Sequence, residues 1–211
     1  MTINREDYIK AIYELGGNIK QVSNKNIAES LKISAPSVSE MIKKLLNDGF
    51  IDYELYQGVK LTEYGIKEAM KIRRRHLLWE VFLVEKLGYS WEEIDEEAEK
   101  LEHVTSVKLE ERLDKYLNYP KFCPHGSPII ENENEILNYR TLDLLLPGEE
   151  GTIQRITDMK KSLEYANKIN LKIGDIIKVI DEDKSNKLIR FEKDGQKLDI
   201  DQEVAKKIYI K

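Results

Sequence analysis

The sequence predicts a mainly α protein with a small β domain at its C-terminal end. Three observations support this class. A helix, turn, helix and hairpin order opens the chain, two long amphipathic stretches follow residue 62, and short β segments with glycine turns follow residue 141. We therefore expect a winged helix-turn-helix at 1–70, a helical domain at 71–140 and a small barrel at 141–211.

The composition is that of a globular protein. Of the 211 residues, 35% are charged and 41% are hydrophobic, which is enough to bury a real core. No apolar run approaches the ~18 residues that a membrane span needs, and the N-terminus has no apolar signal segment. The single cysteine, Cys123, fits a reducing compartment. We expect a cytoplasmic protein with no membrane partner.

The charge is divided unevenly along the chain. Residues 1–75 carry 13 Lys and Arg against 10 Asp and Glu, whereas residues 76–140 carry 7 against 15. The mildly basic residues 1–75 can bind a polyanion, whereas the acidic residues 76–140 are expected to bind cations. The two parts are therefore expected to bind different partners.

The N-terminal elements have recognisable start signals. Asn24 and Ser34 are predicted to cap the second and third helices, and Pro36 fits the first turn of the third. Two short strands, Phe50–Leu55 and Val59–Leu61, then form a hairpin. This order predicts a winged helix-turn-helix.

The third helix is predicted to read DNA, since its N-terminal residues face base edges in this fold. Ser34 and Ser37 can hydrogen-bond to bases, and Pro36 can contact a thymine methyl group. The residues expected at phosphates are Ser39, Lys43, Lys44 and Lys60.

Two helices are predicted for the middle of the chain. Thr62 can cap a helix that runs towards Leu87, and Ser90 can begin another that runs towards Leu117. Their apolar positions exceed what one small domain needs to bury, which predicts a homodimer. These positions include Trp79, Leu83, Leu101, Val104 and Leu113.

A cluster of ligand-type side chains lies in the second of these helices. At helical spacing Glu99, Glu102 and His103 share one face and offer oxygen and nitrogen ligands to a divalent cation. A solvated acidic face is the alternative. A metallopeptidase is disfavoured because the first position of the motif is a glutamate, and we find no phosphate loop or catalytic triad. The chain is not expected to be an enzyme.

The C-terminal part is predicted to be a small barrel. Four strands are expected at Gly151–Ile156, Asp175–Ile180, Lys187–Phe191 and Lys206–Ile210. One helix, Lys161–Ile169, interrupts them.

Together these features resemble the DtxR/MntR family, the diphtheria-toxin-repressor-like metal-dependent transcriptional regulators. The resemblance spans essentially the whole chain. It is carried by Glu6–Ile9, Ser34–Ser39, Arg75–Glu80, Glu99-x-x-Glu102-His103 and Cys123–Gly126. It implies a homodimeric repressor of the three-domain, manganese-responsive type, with a helical dimerisation domain and an SH3-like, FeoA-type C-terminal barrel.

The resemblance also implies two metal sites. The primary-site ligands by motif position are Asp7, Glu99, Glu102 and His103, with Cys123 added from the loop beyond. A secondary site is implied by His76 and Glu80, one helical turn apart, with Asp158 as the candidate from the barrel. His125 is interpreted as structural.

One departure from the family pattern limits the comparison. Lys10 stands where two-domain manganese members place a glutamate, and an ammonium cannot ligate a metal, which argues against a shared binuclear site. Iron-responsive members carry sulfur residues at the positions of Asp7 and Glu99, so carboxylates there favour Mn²⁺ over Fe²⁺.

The prediction is a Mn²⁺-dependent repressor of metal-uptake and homeostasis genes that binds double-stranded operator DNA. The alternatives are an iron(II)-dependent repressor of the same family and a metal-independent winged-helix regulator.

Overall fold

A computed structural model describes residues 3–91, 93–129, 139–157 and 160–211. The chain forms two compact units. The first unit comprises residues 1–76 and 100–107, and the second comprises residues 77–99 and 108–211. The predicted fold class is confirmed, since helices dominate the first two-thirds of the chain and an antiparallel sheet follows.

The N-terminal part of the first unit is a winged helix-turn-helix. Its helices are α1 (Ile3–Glu14), α2 (Asn24–Leu31) and α3 (Ala35–Asn47). Strands β1 (Ile51–Glu54) and β2 (Gly58–Leu61) pair antiparallel and form the predicted hairpin. The predicted order of elements is therefore correct.

The helix caps decide where α2 and α3 begin. Ser34 caps α3 as predicted, with extended backbone and a side chain that accepts from the Ser37 amide. The predicted cap of α2 is wrong, because Ser23 has the extended backbone and accepts from the Asn26 amide. Asn24 is consequently the first helical residue.

One apolar core holds these elements together. The side chains of α1 pack against those of α2 and α3 and against the hairpin. Its fully buried members include Ile9, Ile12, Ile27, Val38, Leu45 and Val59. Burial of such side chains supplies most of the stability of this unit.

The central helices differ from the prediction in one respect. Helix α4 spans Glu63–Leu87, and Thr62 caps it by accepting from the Gly65 amide at 3.1 Å. The single helix expected from Ser90 to Leu117 is instead two helices, α5 (Ile94–Glu102) and α6 (Val107–Tyr116).

A buried hydrogen bond lies at the break between α5 and α6. Thr105 is buried, and its hydroxyl donates to the carbonyl of Leu101 at 2.7 Å, so a side chain satisfies a carbonyl of the last helical turn. His103 therefore lies in the turn that follows α5.

Among the described residues, no helix is both long and apolar enough to cross a membrane.

The C-terminal part of the second unit is a six-stranded antiparallel sheet in the order β3-β8-β4-β5-β6-β7. Its core contains Ile153, Phe191, Ile200 and Ile208, all fully buried. The elements are β3 (Arg140–Thr141), β4 (Glu150–Ile156), α7 (Lys160–Lys168), β5 (Ile176–Asp183), β6 (Leu188–Lys193), β7 (Gln196–Asp201), α8 (Gln202–Ala205) and β8 (Ile208–Ile210).

The sequence interpretation missed two of these strands, the two-residue β3 and the longer β7. Strand β7 pairs with β6 at one edge of the described sheet, and Leu198 and Ile200 are the residues through which it joins the apolar core. The polar residues around them hide the strand pattern.

Candidate metal centre and DNA-binding surface

Asp7 and Glu102 both lie near His103 in the first unit, and we call these three residues the head cluster. Asp7 lies on α1, Glu102 is the last residue of α5, and His103 follows it. His103 Nε2 lies 2.8 Å from Asp7 Oδ1 and 3.6 Å from Glu102 Oε1. The imidazole of His103, in the turn after α5, therefore faces both carboxylates.

Glu6 orients the imidazole of the head cluster. Its Oε2 lies 2.8 Å from His103 Nδ1. If Nδ1 carries the proton and donates to Glu6, the lone pair of Nε2 faces Asp7. A carboxylate that fixes the second ring nitrogen is the usual support of a metal-binding histidine. The sequence interpretation missed this role, although Glu6 immediately precedes Asp7.

Lys10 and His76 adjoin the head cluster through Glu102. Lys10 Nζ lies 2.8 Å from Glu102 Oε2, and His76 Nδ1 lies 2.5 Å from the same oxygen. Glu102 is fully buried. Its carboxylate therefore meets Lys10 and His76 at Oε2, while His103 lies nearer Oε1.

The donor set of the head cluster fits a divalent cation. Two carboxylates and one imidazole nitrogen are ligands that Mn²⁺, Fe²⁺ and Zn²⁺ all accept. Glu99 belongs to the second unit, so its membership of the primary site stays a prediction.

A second group of ligand-type side chains lies within the second unit, and we call it the loop cluster. Glu80 on α4 meets Cys123 and His125 from the loop beyond α6, and one ligand atom of each lies within 4.8 Å of the others. All three residues are buried. The Glu80 Oε1 atom lies 3.4 Å from His125 Nδ1. Oxygen, sulfur and nitrogen donors at this separation also fit a divalent metal.

The backbone of the loop holds Cys123 and His125 in place. The Cys123 amide donates to the Ser127 carbonyl at 2.8 Å, and the His125 carbonyl accepts from the Ile156 amide of β4 at 3.0 Å. Gly126 has φ +83°, and a Cβ there would lie 2.0 Å from the Gln154 carbonyl oxygen. Only glycine fits this approach of the loop to β4.

Within the second unit the structure brings Cys123 together with Glu80, a predicted secondary-site residue, and with His125. The expected membership of Cys123 in the primary site stays a prediction, because the residues of the head cluster belong to the first unit. His125 was interpreted as structural, and its place in the loop cluster makes it a candidate ligand that the Cys-x-His spacing could have indicated. Asp158, the third predicted secondary-site residue, lies outside the described residues.

The predicted DNA-reading residues lie at the exposed start of α3. Ser34, Pro36 and Ser37 are all exposed, and the Ser34 and Ser37 hydroxyls lie 2.8 Å apart. Ser39 is also exposed, but its hydroxyl donates to the Ala35 carbonyl at 3.1 Å. The first three side chains are thus available to an external partner.

The predicted phosphate contacts differ in how their charges are engaged. Lys43 is exposed and Lys60, on β2, is half-buried. Lys44 donates to Glu40 at 2.7 Å, and this contact lowers the pKa of the Glu40 carboxyl. A phosphate would therefore compete with Glu40 for the Lys44 ammonium.

Three domain models match the chain in succession. Residues 1–59 match the iron dependent repressor N-terminal DNA binding domain, and residues 62–131 match the iron dependent repressor metal binding and dimerisation domain. Residues 140–211 match the FeoA domain.

Individual relatives include iron and manganese regulators. The iron-dependent repressor IdeR of Mycobacterium tuberculosis is 38% identical over 124 residues, which are 59% of this chain and 54% of that protein. The match thus spans about half the length of IdeR. The transcriptional regulator MntR of Oceanobacillus iheyensis is 38% identical over 120 residues, which cover 57% of this chain and 81% of that protein.

Among solved structures, that of the manganese regulator SloR is similar along the whole chain. It is 42% identical, has a TM-score of 0.82, and the match covers 100% of this chain and 99% of that one. With three domain models matched in order, the chain belongs to the DtxR/MntR family of metal-dependent transcriptional regulators, in its three-domain form.

Proposed function

We propose that this chain is a Mn²⁺-dependent transcriptional repressor that binds double-stranded operator DNA as a homodimer. The observation that carries the proposal is the position of the head cluster. Its Asp7 lies on α1, which packs against α2 and α3 in the first unit, and α3 presents the DNA-reading serines. A change at Asp7 therefore acts on the helix that supports the reading helix.

The residues of the head cluster join distant parts of the chain. Glu102 and His103 follow α5, and their contacts with α1 fix its N-terminal half. Glu6 keeps the imidazole of His103 turned towards Asp7. A bound divalent cation supplies positive charge that offsets the repulsion between Asp7 and Glu102. The DNA-competent arrangement of α1 is then favoured by differential affinity for the ion.

The loop cluster is the second proposed metal centre. Glu80, Cys123 and His125 would hold the ion there, on a loop that is fixed to β4. We assign Cys123 to this centre because of its neighbours. His76 and Asp158 as secondary ligands, and Glu99 as a primary ligand, stay predictions.

The oxygen-rich donors of the head cluster support Mn²⁺ as the physiological ion. Carboxylates prefer hard cations, and neither Asp7 nor Glu102 offers sulfur. Fe²⁺ is the second candidate, and the sulfur of Cys123 in the loop cluster is the specific observation that favours it. SloR is a manganese regulator and IdeR is an iron-dependent repressor.

Homodimerisation is supported by the match to a metal binding and dimerisation domain and by apolar surface such as Val104, which is 69% exposed. The target genes are proposed to be those of metal uptake and homeostasis. A cytoplasmic location and domain boundaries near residues 70 and 140 stay predictions.

The proposal is tested by operator affinity measured anaerobically in Mn²⁺, in Fe²⁺ and in chelator. We expect Mn²⁺ to tighten DNA binding by about 5- to 150-fold, the range of ordinary allosteric coupling. Glu102→Gln removes the charge but keeps a hydrogen-bond acceptor for Lys10, so it should abolish this gain and leave the dimer intact. Glu96→Gln, at an exposed position of the same helix, is the control and should keep the gain.

Two results decide between the candidate functions. Equal DNA affinity in Mn²⁺, in Fe²⁺ and in chelator would contradict metal dependence and favour a metal-independent winged-helix regulator. A gain in Fe²⁺ without one in Mn²⁺ would replace manganese by iron(II) as the effector.

A further inference from the structure

Lys10 places a buried ammonium beside the head cluster. Its Nζ lies 2.8 Å and 3.1 Å from the two oxygens of Glu102 and 3.1 Å from His76 Nδ1. All three residues are buried, since Lys10 is 8% exposed, Glu102 0% and His76 4%. All three lie in the first unit.

The chemistry of this group is that of a cation site. A carboxylate oxygen and an imidazole nitrogen are donor types that divalent metals bind, and here they lie within hydrogen-bond distance of each other, at 2.5 Å. The positive charge beside both atoms comes from the protein itself, since Lys10 Nζ lies 2.8 Å from Glu102 Oε2 and 3.1 Å from His76 Nδ1. A buried carboxylate without a counter-charge is strongly destabilising, so Glu102 and Lys10 depend on each other.

Glu102 is therefore shared by two positive centres. Both of its oxygens lie within hydrogen-bond distance of Lys10, and Oε1 also faces His103 at 3.6 Å. On the side of Glu102 that faces His103 lies Asp7, where an ion would bind. On the side of Glu102 that faces Lys10 lies His76. A second divalent ion on the His76 side would have to displace the ammonium.

We propose that Lys10 acts as a built-in cation that takes the place of a second metal ion beside Glu102 and His76. It limits the head cluster to a single divalent ion and holds α1 to Glu102 when no ion is bound. This inference rests on the proposed metal binding at Asp7, Glu102 and His103. Lys10 is a positioning residue, since it acts through Glu102.

The test compares Lys10→Met with Lys25→Met, both in a Cys123→Ser background that removes the thiolate of the loop cluster. Methionine keeps the length of the side chain and removes the charge. Lys25 lies on α2 with an 82% exposed side chain, so its replacement is the matched control. The readouts are Mn²⁺ bound per protomer by equilibrium dialysis, the Mn²⁺ EPR spectrum, and the unfolding midpoint in chelator.

We expect K10M to bind one more Mn²⁺ per protomer than K25M, with an EPR spectrum of exchange-coupled ions. A purely structural role of Lys10 would not raise the number of bound ions. In chelator the unfolding midpoint of K10M should fall below that of K25M, and Mn²⁺ should restore it.

Equal numbers of bound ions in K10M and K25M would overturn the role of Lys10. So would failure of K10M to fold even in saturating Mn²⁺, because the ion would then not replace the ammonium. Neither of these results bears on the proposed function, which is measured as the DNA affinity of the wild-type protein. A wild-type protein that binds no Mn²⁺ would contradict both.

Discussion

At the scale of single residues, the two candidate clusters differ in the softness of their donor atoms. The head cluster offers only carboxylate oxygens and an imidazole nitrogen, whereas the loop cluster adds the sulfur of Cys123. Hard and borderline ions are thus favoured at Asp7, and softer ones are tolerated at Cys123. One protein can therefore offer two metal sites that differ in their preference for hard or soft ions.

Replacing Cys123 by serine tests the loop cluster directly. Because the chain has only one cysteine, a thiolate-to-cobalt absorption band in the Co²⁺-loaded protein reports this residue alone. We expect Cys123→Ser to abolish the band and to weaken Co²⁺ binding at this cluster by about tenfold or more, since a serine hydroxyl is a poor ligand. Absorbance titration measures both effects.

Asp7→Ala is the control for this experiment. It removes a head-cluster carboxylate and should leave the thiolate band in place. Absence of the band in the wild-type protein, or its survival in Cys123→Ser, would contradict the assignment of Cys123 as a ligand.

At the scale of elements, local chemistry decided which predictions succeeded. Ser34 and Thr62 cap their helices as predicted, because a cap depends on residues within one turn of it. The break after α5 was not predicted, because it depends on burial of Thr105 and on the bond of its hydroxyl to Leu101. Burial is a property of the tertiary structure.

The distinction between local sequence and tertiary contact also applies to the candidate site. Glu102 and His103 are adjacent in sequence, so spacing identified them. The meeting of Glu80 with His125 depends on how the loop after α6 is held against β4, which no periodicity in the sequence encodes. The ion pair of Lys10 with Glu102 is likewise a tertiary contact.

The loop that carries Cys123 and His125 is expected to depend on Gly126. Gly126→Ala would place a Cβ 2.0 Å from the Gln154 carbonyl oxygen at φ +83°. Gly195→Ala is the matched control, since it also has a positive φ, +76°, but nothing lies within 4 Å of its Cβ position. We expect G126A to lower the free energy of unfolding by about 2 kcal/mol more than G195A does.

Urea unfolding of the metal-free protein measures this difference. G126A should also weaken Co²⁺ binding at the loop cluster, because it shifts the loop away from β4. Equal free energies of unfolding for G126A and G195A would contradict the tight approach of the loop to β4.

At the scale of the whole molecule, the net charge of −5 opposes DNA binding, so the basic N-terminal part must supply the attraction. A repressor that binds as a homodimer places two copies of α3 on its operator. Each lysine that contacts a phosphate then contributes twice, once from each protomer, to the salt dependence of the DNA affinity. Salt dependence is therefore a measure of both the contact and the symmetry.

Lys43 is the exposed lysine of α3 on which this argument can be tested. Each phosphate neutralised contributes about 0.9 to the slope of log affinity against log salt. Lys43→Ala should thus reduce the magnitude of the slope by about 2 if two heads bind, and by about 1 if only one does. Fluorescence anisotropy in Mn²⁺ at several salt concentrations measures the slope.

Two controls separate charge from base reading. Ser37→Ala removes a predicted base contact and should lower operator affinity without changing the slope, because serine carries no charge. Lys197→Ala removes an exposed lysine on β7 and should change neither the operator affinity nor the slope.

An unchanged slope in Lys43→Ala would remove Lys43 from the phosphate contacts. A reduction of about 1 would contradict binding by a symmetric dimer, since the two-fold axis gives every contact a partner.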